Sequence, residues 1–249
     1  MKVSNNSVLI TGGGTGIGFC LAEEFARAGN EVIICGRREE KLRQAKSKLP
    51  QLITKKCDVS NPRDREELFN WTAKNFKDIN ILVNNAGIQR MIDLKKGIPE
   101  LARYENEVDI NFTSTIQLSA YFIPTFMRRE EAAIINVSSG LAFVPIAIMP
   151  IYCATKAAIH SFSISLRHQL KDTSVRVFEV IPPTVDTELD KGTRTQRNMT
   201  YRGIPPAEVA VATMKALLQN EYECAVGPAQ NIKAASVSSF DEQFNRMNH

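Results

Sequence analysis

A tyrosine and a lysine one helical turn apart are the residues of this chain best suited to chemistry. Tyr152-Cys153-Ala154-Thr155-Lys156 sets a phenol and an ammonium at i and i+4, on one face of a helix. A cation beside a phenol favours the phenolate, as a proton donor or acceptor at a carbonyl oxygen requires near neutral pH. The spacing alone also fits an amphipathic packing pair. Its surroundings add weight. Asn136-Val137-Ser138-Ser139 closes an apolar run thirteen residues before the tyrosine, and Asn84-Asn85-Ala86-Gly87 closes another, so amides and hydroxyls gather where strands end.

A second group suits a phosphate. Thr11-Gly12-Gly13-Gly14-Thr15-Gly16-Ile17-Gly18 joins a short β-type run to an amphipathic one. Glycines there let the backbone turn sharply and approach a pyrophosphate, and the helix amino terminus offers N–H donors and positive partial charge. A tight turn that only packs helix on strand would look similar. At the end of the next β-type run stands Cys35-Gly36-Arg37-Arg38, with no carboxylate to accept a ribose hydroxyl. Guanidinium groups favour a 2′-phosphate, hence NADP(H) over NAD(H). Taken without the glycine turn, Arg37 and Arg38 would read as solvated charges opening a helix. Asp58-Val59 follows the third run and is placed to meet an adenine, although a helix-capping carboxylate would look the same.

These motifs need a parallel sheet to bring them together. Strands are expected over Val8–Thr11, Val32–Cys35, Leu52–Cys57, Ile79–Val83, Ala133–Ser138, Val175–Ile181 and Cys224–Gly227. Helical periodicity separates them: Ile17, Leu21 and Phe25 before Gly29, a helix opened by Ser60-Asn61-Pro62, and longer ones over Phe112–Arg129, Tyr152–Lys171 and Pro206–Asn220. The alternation specifies an α/β protein, a doubly wound Rossmann fold with a seven-stranded parallel sheet flanked by helices. No linker divides the 249 residues, so residues 1–249 are expected to form a single dinucleotide-binding catalytic domain. The polar stretch 188–203 reads as a substrate loop over the strand ends, and the tail after Pro228 has no evident role.

In this order the motifs resemble the short-chain dehydrogenase/reductase family, over roughly Val8 to Thr187. The likeness rests on the glycine turn, Asp58, the Asn-Asn-Ala-Gly run, Asn111, the Ser-Ser pair and Tyr-x-x-x-Lys. It implies that Ser139 holds the substrate oxygen, Tyr152 exchanges its proton, Lys156 binds the nicotinamide ribose and lowers the phenol pKa, and Asn111 supports a proton relay. For the cofactor it implies Gly12, Thr15, Gly16, Ile17, Gly18, Arg37, Arg38, Asp58, Val59, Asn85, Ala86, Gly87, Tyr152, Lys156, Val185 and Thr187. One departure stands out: Pro182-Pro183 replaces the family's usual Pro-Gly, removing an N–H and fixing φ beside the nicotinamide. Residues 30–37 and the Pro-Pro-Thr-Val-Asp-Thr-Glu stretch further resemble a DltE-type bacterial branch associated with teichoic-acid D-alanylation operons. Operon neighbours do not name a substrate.

The function implied is hydride transfer between NADP(H) and a small carbonyl or alcohol substrate. A dinucleotide sensor without turnover is the alternative, and nicotinamide absorbance with a panel of carbonyls and alcohols separates the two. Composition excludes other classes. The 31 basic and 27 acidic residues are spread evenly, with no basic block for nucleic acid. No apolar run approaches the roughly 18 residues of a membrane span. The five cysteines are odd in number and lack a CxxC pair, which fits reduced thiols and a cytoplasmic location. His160 and His168 read as packing or surface residues, and no metal site is expected. Family resemblance places the Phe112–Arg129 and Tyr152–Lys171 helices at an interface, and the apolar Ile116, Phe122, Ile123, Phe126, Phe162 and Ile164 on them point to a homodimer or homotetramer.

Overall fold

A computed structural model describes residues 1–102, 106–189 and 203–248. Strands β1 (Ser7–Thr11), β2 (Glu31–Gly36), β3 (Ile53–Lys56), β4 (Ile79–Asn84), β5 (Ala132–Val137), β6 (Val175–Ile181) and β7 (Glu223–Ala225) form one sheet, ordered β3-β2-β1-β4-β5-β6-β7. All its pairings are parallel. It is the doubly wound Rossmann arrangement expected. The chain reverses its direction of progress between β1 and β4, which opens a crevice at the carboxyl ends of those two strands.

Both faces of the sheet are covered, so the central strands β1, β2, β4 and β5 are mainly apolar runs rather than alternating ones. Val8, Ile10, Val32, Ile34, Val83 and Ile135 face α1 (Gly16–Arg27), α2 (Glu39–Lys48) and, further along the chain, the helix Pro206–Gln219. On the other face, Leu9, Ile33, Leu82, Ile134 and Val177 meet α3 (Pro62–Asn75), α5 (Ser114–Phe126) and α6 (Pro150–Gln169). A short α4 (Ile98–Ala102) precedes α5; α7 (Pro206–Gln219), α8 (Pro228–Ser238) and α9 (Phe240–Asn248) complete the order. Among the described residues, no helix is long and apolar enough to cross a membrane.

Local chemistry explains the element boundaries. The Asn61 side chain accepts from the Arg63 amide at 2.9 Å, and Pro62 occupies the first position of α3, where no N–H is needed. Pro150 does the same for α6, so that helix starts two residues before the Tyr152 expected from periodicity. The helix expected from Phe112 begins as a π-helical turn, Asp109–Thr113, and α5 proper runs only to Phe126. Such a turn inserts an extra residue per ring and is common beside functional sites.

The apolar residues taken as a second face of α5 and α6 divide differently. Phe122 and Phe126 are fully buried in the core beneath the sheet, Phe122 edge-on to Phe69, so they satisfy this chain's own packing. Ile164 is 45% exposed.

Candidate active site

Thr11 ends β1 and ties two loops together. Its hydroxyl accepts from the amides of Asn85 and Ala86 at 2.9 and 3.0 Å, while the Asn85 side chain donates to the Thr11 carbonyl at 2.9 Å. The backbones then lie so close that side chains are excluded. A Cβ on Gly18 would sit 2.5 Å from both Asn85 Nδ2 and the Gly12 carbonyl, and one on Gly13 would strike Ile34 at 2.5 Å. Gly12 and Gly16 hold φ of +65° and +56°, which side-chain-bearing residues rarely adopt. Thr15 caps α1 in an extended conformation without a side-chain hydrogen bond, so its hydroxyl does not cover the first-turn amides.

This cradle floors a cavity of about 380 Å³. Gly12, Thr15, Gly16, Ile17, Arg37, Arg38, Asp58, Val59, Asn85, Ala86, Gly87, Tyr152, Lys156 and Thr187 all line it. Gly18 and Asn111 stand behind the wall. Sequence reasoning overlooked Lys41, a turn beyond Arg37, whose ammonium lies 2.7 Å from Glu188 Oε1 while Arg38 Nη1 lies 2.8 Å from Oε2. Two cations thus converge on one carboxylate at the cavity rim. Hydrogen bonds from Lys41 and Arg38 pull the Glu188 pKa below the ordinary carboxylate value. Asp58 is partly spoken for, since one oxygen accepts from the Ser60 amide and hydroxyl at 2.9 and 2.7 Å.

Tyr152 forms the boundary with a second cavity of about 290 Å³. Ser139 lies in its wall with Gln89, Leu141, Ile146, Met149, Pro183, Thr184 and Val185, and none of the described lining residues is charged. Val185 therefore lines this cavity rather than the first, whereas Thr187 lines both. Ser139 precedes a 3-10 turn and accepts from the Leu141 amide at 3.1 Å. The Gly140 amide donates to the Pro182 carbonyl at 2.9 Å, which anchors the Pro-Pro segment against the serine loop. Two wall residues come from the tail, Ile232 on α8 and Met247 on α9. Gly140 permits this, because a Cβ there would lie 3.3 Å from Ile232. Asn248 fastens the end of α9 by donating to the Pro145 carbonyl at 3.2 Å and accepting from the Ala147 amide. The tail that lacked a role in sequence is a cavity wall. Of the stretch 188–203, positions 190–202 lie outside the described residues.

Lys156 is buried beneath the tyrosine, its Nζ 5.6 Å from the Tyr152 ring centroid and donating a hydrogen bond to the Val137 carbonyl at 2.8 Å. Burial pulls its pKa down to about 8, opposed by the negative charge of Glu179. The Asn111 side chain grips the loop after β4, with Oδ1 accepting from the Ile88 amide at 2.8 Å and Nδ2 donating to the Ile88 carbonyl at 2.9 Å. Nδ2 also reaches Thr155 Oγ1 at 3.1 Å. Deeper in the sheet, a buried polar ladder joins α5 to α6: Asn84 Nδ2 donates to Ser119 and to Asn136 Oδ1 at 2.9 Å, and Asn136 Nδ2 donates to Ser163 at 2.9 Å.

The model of the short chain dehydrogenase family matches residues 6–198. The chain belongs to that family. An uncharacterized oxidoreductase of Bacillus subtilis, DltE, is 48% identical over 248 residues, covering 100% of this chain and 98% of that protein. The expected DltE-type likeness therefore holds. A short chain dehydrogenase from Burkholderia cenocepacia, solved in complex with NADP, superposes with a TM-score of 0.83 at 28% identity, covering 99% of each chain. A Burkholderia phymatum short chain dehydrogenase/reductase in complex with NAD gives 0.86 at 22% identity over 100% of this chain and 97% of that one, a likeness of fold.

Proposed function

We propose that this family member is an NADP(H)-dependent oxidoreductase acting on an uncharged carbonyl or alcohol, within one catalytic domain. The observation that carries the reading is Tyr152, which lines both cavities above a buried lysine. The residues of the first cavity fit a dinucleotide: a cradle that a single Cβ would fill, an uncovered helix amino terminus, and basic groups at the rim. Gly12, Thr15, Gly16, Ile17, Asn85, Ala86 and Gly87 would hold it, with Asp58 and Val59 at the adenine end and Thr187 at the nicotinamide end. Arg37, Arg38 and Lys41 would select the 2′-phosphate, which would take the place of the Glu188 carboxylate that Arg38 and Lys41 now hold. When bound, NADP(H) supplies or accepts the hydride.

The chain's own residues do the rest. Ser139 orients the substrate oxygen, and Tyr152 hands it a proton during reduction or removes one during oxidation. Lys156 stabilises the phenolate and holds the ribose. Asn111 fixes Ile88 through both its amide and its carbonyl, and through Thr155 it anchors α6 relative to that loop. The second cavity favours substrates with an apolar, uncharged body, since a carboxylate or phosphate there would be desolvated without a cationic partner among the described residues. Five free cysteines support a cytoplasmic setting, and the exposed Ile164 supports a homodimer or homotetramer built on α6.

The test is NADPH oxidation with a panel of apolar ketones and aldehydes against keto acids and phosphorylated carbonyls. The apolar group should turn over, and Tyr152→Phe should lose about a hundredfold to ten-thousandfold in kcat with cofactor affinity retained. Near-normal turnover by Tyr152→Phe with cofactor bound would make the tyrosine a packing residue.

A further inference from the structure

Strand β6 carries a carboxylate where its neighbours are apolar. Glu179 is fully buried between Phe178 and Val180, opposite Asn136 in the β5 register. Desolvating a carboxylate costs several kcal/mol, and an apolar side chain there would pack as well or better. Both oxygens are nevertheless held. Ser138, immediately after β5, donates its hydroxyl to Oε1, and His160 Nδ1 lies 2.7 Å from Oε2.

The partners lead back to the active site. Ser138 follows Val137, whose carbonyl binds Lys156 Nζ, and His160 lies one turn beyond Lys156 and two beyond Tyr152 on α6. The carboxylate on β6 is thus held by the residue next to the Val137 carbonyl that binds the buried ammonium and by the residue one turn beyond that lysine on α6. His160, whose side chain is 24% exposed, connects the cluster to solvent. The charged groups around the pair are Lys156 on α6, Glu223 on β7 and Lys233 on α8, and the Phe143 ring packs on the imidazole. Hydrogen bonding to Glu179 raises the His160 pKa against the opposing effect of burial.

We propose that Glu179, fixed by Ser138 and His160, is a positioning residue whose charge keeps the buried Lys156 ammonium protonated under working conditions. This rests on the functional reading of Tyr152 and Lys156 given above. A neutral lysine could neither stabilise the phenolate nor donate as a cation to the ribose. Burial draws the ammonium toward deprotonation near pH 8, and Glu179 is the group that opposes it.

Glu179→Gln removes the carboxylate charge while its amide can still accept from Ser138 and donate to a neutral His160, and the alkaline limb is read where His160 is neutral in both proteins. The expected result is an alkaline limb of the kcat/KM profile lying about one pH unit lower than in the unmodified protein. NADPH affinity, measured by calorimetry, should be nearly unchanged at pH 6.5 and several-fold weaker than that of the unmodified protein at pH 8.5, where the variant's lysine has lost its proton and the unmodified protein's keeps it in part. Ser138→Ala removes a hydrogen bond but not the charge, so its limb should stay in place while its Tm falls. Glu179→Leu provides a second charge-free variant. If either folded charge-free variant keeps the original limb and affinity profile, the proposal is overturned; so it is if both fail to fold, which makes the carboxylate a structural staple. NADPH binding by the unmodified protein with an unmoved Glu179→Gln profile sinks this proposal alone. No dinucleotide binding at any pH sinks the functional reading and the proposal with it.

Discussion

Around the glycine turn, backbone meets backbone: Gly12, Gly18, Asn85 and Ala86 approach so closely that one methyl group has no room. Across Tyr152 the second cavity is walled by side chains from the serine loop, the Pro-Pro segment and two tail helices. The first construction suits the pyrophosphate of the proposed dinucleotide. The second can change its contents one side chain at a time without disturbing the sheet. The two cavities thus differ in construction, while Ile17, Tyr152, Pro182 and Thr187 line both.

Substitutions on either side of the tyrosine test that difference. The largest effect is expected from Gly18→Ala, whose Cβ must displace Asn85 or the Gly12 backbone. A misplacement of about 1 Å costs on the order of a hundredfold, so NADPH affinity and kcat/KM should both fall by that much. Unchanged affinity by calorimetry would show that the cradle yields. Next comes Arg37→Ala, expected to erase a preference for NADPH over NADH of about tenfold, or about 1.4 kcal/mol. Equal affinities for the two cofactors in the unmodified protein would remove Arg37 from that role and leave NADP(H) without support. The smallest effect belongs to the other cavity. Met247→Ala removes part of a half-buried wall, about 1 kcal/mol of apolar contact, so kcat/KM for an apolar ketone should drop roughly fivefold. NADPH affinity should not move. A parallel loss of cofactor affinity would show that a change in one cavity is felt in the other through the residues that line both.

The same division explains what could be read in advance. Gly12 to Gly18, Asn85 to Gly87 and Tyr152 to Lys156 are contiguous or one turn apart, so short-range geometry placed them at the strand ends. Lys41 was hidden because a cation in the first turns of a helix is ordinarily just solvated, although its spacing from Arg37 was visible. Ile232 and Met247 reach the cavity only through the packing of α8 on Gly140 and the fastening of Asn248, contacts spanning about a hundred residues that no local pattern encodes. Phe122 and Phe126 show the converse error. Helical spacing says that a face is apolar, not whether the sheet or another protomer covers it. Ser138, read only as the end of a strand, and His160, read as a packing or surface residue, share a buried carboxylate that sits on a strand distant from both in sequence.

The polar ladder of Asn84 and Asn136 bears on how the sheet finds its alignment. β4 reads Ile81-Leu82-Val83 and β5 reads Ala133-Ile134-Ile135, runs buried on both faces, so sliding one strand by two residues would exchange one aliphatic contact for another at small cost. The amides remove that ambiguity. In the observed pairing Asn84 opposes Asn136 and the Nδ2 of each also meets a serine of a flanking helix, with Asn84 Oδ1 left without a partner among the described residues, whereas a slipped pairing would break the Asn84–Asn136 bond at a cost of about 1 kcal/mol. Asn85 and Ser139 lie just beyond those amides, so the same pairing sets their relative height at the sheet edge. The ladder works as an error check on assembly: an off-register sheet is penalised before any ligand is present.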